Sequence, residues 1–97
     1  MKGYWLILGT EITDQVAQDE YNKLWGPIAE KYQARLDTTK VPPLLKEARN
    51  TSRVLIAEFP SYELAKACYE DPAYQEARQF ALKASKRDLL IIEGDLA

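Results

Sequence analysis

Three short segments of this sequence are apolar on both of the faces that a β-strand would present. They read GYWLILG (3–9), RVLIAEF (53–59) and LLIIE (89–93). Because side chains alternate between the two faces of a strand, Tyr4, Leu6 and Leu8 share one face of the first segment, while Trp5 and Ile7 share the other. Each segment therefore needs apolar cover on both sides, and this limits the folds open to a chain of 97 residues.

A helical pattern follows the first apolar segment. Apolar residues recur at intervals of three or four from Gln15 to Tyr32, which predicts an amphipathic helix. Thr13 and Asp14 precede it as N-cap candidates. Pro27 follows a glycine and lacks a backbone N–H, so we expect it to interrupt and kink this helix.

Two more helical stretches lie between the second and third apolar segments. Ser61 is expected to cap a helix that runs to about Glu70. Asp71 with Pro72 is expected to restart the helix, because proline is well suited to the first helical position. This last helix is predicted to continue to about residue 86.

The remaining elements complete a recognisable order. A weak, polar edge strand is predicted at 34–39, and the stretch 41–52, with two prolines, is predicted to be a long connection, a candidate lid or dimer arm. The resulting order, β-α-β-β-α-β, predicts one α+β domain spanning 1–97. Its ferredoxin-like architecture has a four-stranded antiparallel sheet that carries the helices on one face.

The uncovered face of such a sheet predicts self-association. Helices on one face leave the other as a large exposed apolar patch, which soluble monomers avoid. We therefore expect a homodimer packed sheet against sheet by two-fold symmetry. The alternative is that the connection at 41–52 covers this face within one chain.

The absence of histidine excludes several kinds of site. The chain has no histidine and one cysteine, Cys68. Histidine triads, histidine bases, histidine metal ligands and thiolate zinc sites are therefore excluded, and haem would lack its usual proximal ligand. Acid–base chemistry would come from carboxylates, tyrosines, lysines or Cys68, although Cys68 on an apolar helix face is expected to be inert packing. We expect no cofactor and no metal.

Charge and hydropathy narrow the range of partners. The net charge is −2 with acidic and basic residues interleaved, so no nucleic-acid partner is expected. No apolar run approaches the roughly 20 residues of a membrane span, and the N-terminus does not read as a signal peptide. With a single cysteine, the chain is expected to be cytoplasmic.

Several segments resemble a known family. These are KGYW (2–5), GPIAEKY (26–32), RVLIAEFPS (53–61), A-x-x-x-Y-x-D-P-A-Y-Q (65–75) and DLLIIEG (88–94). Together they resemble the family called domain of unknown function 1330. The resemblance implies a ferredoxin-like chain that pairs into a dimeric α/β barrel. The wider superfamily includes cofactor-free monooxygenases, muconolactone isomerases, polyketide cyclases and haem-binding relatives, but the family has no assigned reaction.

The sequence also departs from that family's pattern. The family usually has a Gly-Gly after the first helix, whereas this chain has Gln33-Ala34. Thr39 and Ala81 stand where arginines are usual, and Cys68 where tryptophan is more frequent. If the missing cations bind an anion in typical members, the resemblance implies that this chain takes a different, more apolar substrate.

Carboxylates are the candidates for proton transfer. Glu58 ends the second apolar segment and Asp37 lies on the polar strand, and a carboxylate beside an apolar wall can act as a base. Glu93 is expected about 10 Å from Glu58, across one strand, so that both line one pocket near Lys2 and Tyr4. The alternatives are that the glutamates are solvated or paired with Lys2, and that Asp37 merely discourages edge pairing.

Aromatic side chains and arginines are the candidates for ligand binding. Tyr21 is a candidate catalytic residue, and Arg53 and Arg78 are candidates to bind a carboxylate or an enolate. The predicted substrate-binding residues are Tyr4, Trp25, Tyr32, Arg53, Tyr69 and Tyr74. Aromatic walls with a few hydroxyls suit a flat, apolar ligand, but an aromatic stripe at helical spacing is also what an ordinary core requires.

Two functions follow from these patterns. The first is a cofactor-independent enzyme for an apolar, aromatic or polyketide-like molecule, with carboxylate acid–base chemistry of the isomerase, cyclase, lyase or oxygenase type. The second is a non-catalytic binding or structural dimer module. A ligand-sized cavity that contains one of the carboxylates would favour the enzyme.

Overall fold

The computed structural model describes residues 1–37 and 43–96, with only the backbone of Asp37. Seven elements follow one another along the chain. They are β1 (Gly3–Gly9), α1 (Gln15–Lys31), β2 (Arg35–Asp37), β3 (Arg53–Phe59), α2 (Tyr62–Glu70), α3 (Pro72–Ala84) and β4 (Arg87–Glu93).

The four strands form one antiparallel sheet in the order β2-β3-β1-β4. Two of the three strands that are apolar on both faces, β1 and β3, are therefore central, whereas the third, β4, and the short β2 form the edges. All three helices contact a single face of this sheet. The α+β, ferredoxin-like prediction is confirmed.

The helix starts follow the predicted capping residues. Asp14 accepts a hydrogen bond from Ala17 N at 3.0 Å, and Ser61 accepts one from Leu64 N at 3.1 Å. Asp71 caps α3 with Pro72 in the first turn. These side chains satisfy backbone donors that have no partner within the helix.

Three predicted boundaries differ from the structure. The interruption at Pro27 is wrong, because α1 continues through it to Lys31; one missing backbone donor is not enough to end a helix whose face is packed. β4 begins at Arg87 rather than 89, since it pairs with β1 as far as Gly9. β2 begins at Arg35, and positions 38–42 of the predicted strand and connection lie outside the described residues.

The space between sheet and helices is filled by aromatic rings around Trp5, which is fully buried. The rings of Trp25, Phe59, Tyr69 and Tyr74 lie with their centroids 4.8 to 5.9 Å from that of Trp5. The Trp5 indole N–H donates to the carbonyl of Ala65 at 2.9 Å and so ties β1 to α2. This layer is the core of the molecule.

The opposite face of the sheet carries apolar side chains that are half-buried or exposed. We call this surface the open face; it comprises Leu6, Leu8, Val54, Ile56, Leu90 and Ile92. Tyr4 lies on it but is buried, and its hydroxyl accepts a hydrogen bond from the backbone N–H of Leu96 at 3.0 Å. The stretch 44–51 lies beside Leu8 and Val54 at one end of this face, and the rest of the open face is the apolar patch that the sequence predicts.

Candidate active site

The sheet register separates the two glutamates that were expected to line one pocket. Glu58 lies opposite Tyr4, whereas Glu93 lies opposite Gly3. Adjacent positions on a strand point to opposite faces, so Glu58 is on the open face and Glu93 on the helix side. The expectation of a shared pocket is wrong, because the two partners on β1 differ by one position.

Glu58 takes part in an ion pair on the open face. Its carboxylate lies 3.3 Å from Lys2 Nζ, and Arg35 lies opposite it on β2. Glu58 and Arg35 also line a groove of about 560 Å³ beside the end of α1, with Ala29 and Gln33. Asp37 pairs with Ile56, a register position on the same face as Glu58.

A second cavity lies at the other end of the open face. Its volume is about 610 Å³, and the stretch 44–51 forms one wall. Leu8 and Val54 supply the apolar side, while Lys86 and Asp88 supply charge. This cavity opens to solvent and contains neither Glu58 nor Glu93.

On the helix side, three polar side chains meet beside the aromatic core. The Arg87 guanidinium donates to Tyr74 Oη at 2.5 Å and lies 5.1 Å above the centre of the Tyr21 ring. The hydroxyls of Tyr74 and Tyr21 share a hydrogen bond of 3.2 Å. We call these three residues the Arg87–tyrosine centre.

The environment fixes the protonation of this centre. Burial, and then the neighbouring Tyr21, raise the pKa of Tyr74, so its phenol stays protonated. Burial acts to lower the pKa of Arg87, but the two phenols outweigh it and the net shift is upward. Arg87 is therefore a permanent cation that is hydrogen-bonded to the neutral phenol of Tyr74.

Arg53 lies beside this centre. Arg53 and Arg87 are both opposite Gly9, one on each neighbouring strand. Arg53 Nη1 donates to the carbonyl of Thr10 at 3.3 Å and to Ser85 Oγ at 3.5 Å. Burial, and then the charge of Arg87, lower the pKa of Arg53. Across residues 1–36 and 43–96, no carboxylate lies within 4 Å of either guanidinium.

The other predicted binding residues do not line one pocket. Trp25 and Tyr69 pack against Trp5 in the core. The Tyr32 hydroxyl donates to the Asp71 carboxylate at 2.5 Å, which Lys31 also contacts at 2.9 Å, so it links α1 to the start of α3. Their geometry fits the alternative that an aromatic stripe serves the core.

Two further candidates, Cys68 and Arg78, lie outside the centre. Burial raises the pKa of the Cys68 thiol to about 12, so it is protonated and unreactive near neutral pH. Arg78 is half-buried on α3. Within the described part of the chain, no group of three or more carboxylate or cysteine side chains is placed to hold a metal ion.

Sequence reasoning missed Arg87. The apolar pattern predicts a last strand that begins at residue 89, and this leaves Arg87 outside the predicted sheet. The sequence does contain a feature that indicates Arg87. It lies two residues before Leu89, and side chains two residues apart on a strand share a face, so Arg87 is on the face of Leu89 and Ile91. If the alternation of the last strand is extended by two residues towards the N-terminus, the strand includes Arg87, which in the sheet lies opposite Gly9, as Arg53 does.

Known structures share this fold. A protein of unknown function from Rhodopseudomonas palustris superposes with a TM-score of 0.71 at 19% identity, covering 99% of this chain and 84% of that one. A dimeric ferredoxin-like protein of unknown function from Jannaschia gives 0.67 at 12% identity, covering 97% and 100%. SnoaB, a cofactor-independent oxygenase from Streptomyces nogalater, gives 0.60 at 11% identity, covering 99% and 95%. At these identities the likeness establishes the fold alone.

Comparison of the sequence identifies a family, whereas the shared fold does not. No curated protein matches the chain significantly. None of the helices in the described residues is long and apolar enough to cross a membrane. The sequence matches the family described as domain of unknown function (DUF1330) over residues 2–95, nearly its whole length, and the chain belongs to that family.

Proposed function

We propose that this protein is a cofactor-independent enzyme that acts on a small, largely apolar carbonyl compound at the Arg87–tyrosine centre. The observation that carries the proposal is the contact of a half-buried guanidinium with two phenols and with no carboxylate of the described residues. Such a group stabilises negative charge that develops on a substrate oxygen.

The hydrogen bonds suggest which hydroxyl meets the substrate. Tyr74 Oη accepts from Arg87, so the Tyr74 proton is available to Tyr21 Oη. The Tyr21 proton is then free for an enolate oxygen, with the Arg87 charge next to it. Tyr21 is thus the proposed catalytic residue, and Tyr74 positions and polarises it.

No carboxylate of the described residues contacts the Arg87 guanidinium, and this favours substrates that ionise readily. An enol, a phenol or a 1,3-dicarbonyl compound needs stabilisation of its anion more than a strong base, and solvent water can accept the proton that it loses. Isomerisation, cyclisation, elimination and oxygenation of such compounds all pass through an enolate-like anion. Glu58 and Asp37 belong by register to the open face, where they remain the proposed groups for proton transfer to a ligand held there.

The open face supports the proposal of a homodimer. Its apolar side chains include Val54, 38% exposed, and Leu90, 46% exposed. Pairing two sheets by two-fold symmetry would bury both copies of this surface. The Jannaschia protein with the same fold is described as dimeric. A cytoplasmic location belongs to the same proposal, because the one cysteine is a free, buried thiol.

The test is proton exchange on neutral carbonyl substrates. A panel of 1,3-diketones is incubated with the protein in heavy water, and loss of the α-proton signal above the rate without protein is followed by NMR. Tyr21→Phe should slow exchange by about 10²- to 10³-fold. Tyr62→Phe is the matched control, since this half-buried tyrosine lies on α2, outside the centre. Equal rates for wild type and folded Tyr21→Phe would exclude this role.

A non-catalytic binding or structural dimer is the second candidate. The observation in its favour is the aromatic packing around Trp5, which fills the layer between sheet and helices. Native mass spectrometry distinguishes the two when combined with the exchange assay. A bare dimer with no exchange activity supports the structural module, while a dimer with bound mass and activity supports the enzyme.

A further inference from the structure

We propose that Arg53 and Arg87 form, across Gly9, a binding site for the carboxylate of a small organic acid. This inference rests on the proposed function, because Arg87 is shared, and it adds the chemical class of the ligand: an organic acid with an apolar body. The site lies where β1 ends and where β3 and β4 begin.

The geometry brings the two guanidinium-bearing chains together over a glycine. Both arginines pair with Gly9 in the sheet, on the face that also carries Trp5 and Ile7. A Cβ placed on Gly9 would lie 3.6 Å from Arg53 Nη1 and 3.6 Å from Arg87 Cβ. A methyl group at this position would be at ordinary contact distance from both side chains, so Gly9 places no bulk between the two arginines.

No carboxylate of the described residues lies within 4 Å of the Arg53 or the Arg87 guanidinium, so their positive charges have no ion-pair partner there. Arg53 uses one nitrogen for the carbonyl of Thr10 and the hydroxyl of Ser85, which are both neutral acceptors. Arg87 uses another for the neutral phenol of Tyr74. Two partly buried like charges repel each other at low dielectric, and an anion between them would remove this cost and take up the remaining N–H donors.

The donor set favours a carboxylate attached to an apolar body. Planar guanidinium groups match the two oxygens of a carboxylate by paired hydrogen bonds. Arg87 also lines the cavity of about 610 Å³, to which Leu8 and Val54 supply apolar surface, so an aromatic or apolar substituent meets complementary surface next to the charge. Inorganic phosphate would use the charges but not this surface.

The experiment compares benzoate with its neutral isostere benzamide by isothermal titration calorimetry in a low-chloride buffer. Benzoate is expected to bind and benzamide to bind at least tenfold more weakly, since a charge-assisted hydrogen bond is worth about tenfold to a hundredfold in affinity. Inorganic phosphate is titrated in parallel. Tighter binding of phosphate than of benzoate, or equal binding of benzamide, would overturn the proposal.

Two variants and one control test the site without changing Arg87, because substitution of Arg87 could impair folding. Arg53→Gln removes one charge and should weaken benzoate binding by about tenfold or more, without lowering the melting temperature of the free protein, because it also relieves the repulsion. Gly9→Ala inserts a methyl group at ordinary contact distance and should weaken binding by filling the gap. Lys83→Gln removes one exposed charge from the last turn of α3 and should bind as wild type does.

The outcomes separate this inference from the proposed function. Tyr21→Phe should slow proton exchange on neutral 1,3-diketones and keep benzoate binding, whereas Arg53→Gln should weaken benzoate binding. Unchanged benzoate affinity in Arg53→Gln refutes the carboxylate site and leaves the enolate role of Tyr21 intact. A lower melting temperature of unliganded Arg53→Gln, with unchanged benzoate affinity, would show that Arg53 is structural.

Discussion

The Arg87 guanidinium donates a hydrogen bond of 2.5 Å to the Tyr74 hydroxyl, and this contact joins β4 to α3 inside the helix layer. The same hydroxyl shares a hydrogen bond with Tyr21 on α1. One phenol oxygen thus connects three elements that are far apart in the sequence.

Removing that oxygen should cost stability as well as function. Tyr74→Phe keeps the buried ring, but it leaves the half-buried Arg87 and the buried Tyr21 each without one hydrogen-bond partner. We expect the free energy of unfolding to fall by about 1–3 kcal/mol, measured by urea denaturation. Tyr62→Phe, the matched control on α2, should change it by less than about 0.5 kcal/mol. A Tyr74→Phe variant as stable as the control would show that the contact contributes little.

Gly3 should be intolerant of any side chain. A Cβ at Gly3 would lie 2.6 Å from Tyr62 Cα and 2.8 Å from the carbonyl oxygen of Ser61. These are backbone atoms at the start of α2, so relief requires the helix to move off the sheet. Gly3→Ala should therefore destabilise by about 1–3 kcal/mol, seen as a lower midpoint in urea. Gly9→Ala, with contacts of 3.6 Å, is the control and should be near neutral.

Gln33→Gly should stabilise the protein. Gln33 has φ 54° at the turn after α1, in the left-handed region that favours glycine, and the family pattern usually has glycine here. We expect a gain of up to about 1 kcal/mol, measured by thermal or urea unfolding. Gln79→Gly, at an exposed position within α3, should instead cost about 0.5–1 kcal/mol. A loss at Gln33 would show that the turn does not hold this strained conformation.

Asp71 should make stability depend on acid pH. Hydrogen bonds from Tyr32, then Lys31 and the Ala73 backbone, lower its pKa from 3.8 to about 2. A carboxyl whose pKa is lower in the folded state stabilises the protein above its unfolded pKa, and this contribution disappears as the pH falls from about 4 through 2. The slope of unfolding free energy against pH in this range measures it.

Asp71→Asn is the variant that removes this charge. Asparagine can still cap α3 through its carbonyl oxygen, and it removes both the charge and the oxygen that accepts hydrogen bonds from Tyr32 and Lys31. The variant should be less stable at pH 7 and should lose less stability between pH 4 and 2 than the wild type. Asp95→Asn, an exposed residue near the C-terminus, should keep the wild-type slope. An unchanged slope in Asp71→Asn would contradict the lowered pKa.

The proposed dimer should dissociate when charge is placed on the open face. Leu90→Glu puts a carboxylate on the apolar surface beside Leu6, where pairing would bury it unpaired. Analytical ultracentrifugation should show a monomer in place of the wild-type dimer. Leu82→Glu is the control, because Leu82 is 47% exposed on α3, almost the same as Leu90 at 46%, but lies on the helix layer. A monomeric wild type, or a dimeric Leu90→Glu, would refute pairing through this face.

The local pattern of the sequence was sufficient to predict the strands and helices and their order along the chain. Alternation identified β1 and β3 at their observed bounds, and Ser61 and Asp71 marked the starts of α2 and α3. These features depend on interactions between residues close in sequence, such as a cap with the next turn. The doubly apolar strands also predicted that one face of the sheet would remain uncovered.

Only the tertiary structure decided which side chains share a site. Glu58 and Glu93 are both strand-end glutamates, yet a one-position difference in their partners on β1 puts them on opposite faces. Likewise, Arg87 reaches Tyr74 and Tyr21 only because β4 pairs with β1 as far as Gly9 and because α1 packs against α3. The sequence by itself determined the elements, since local interactions suffice for them, whereas register and helix packing depend on long-range contacts, and those contacts placed Arg53 and Arg87 together and Glu58 apart.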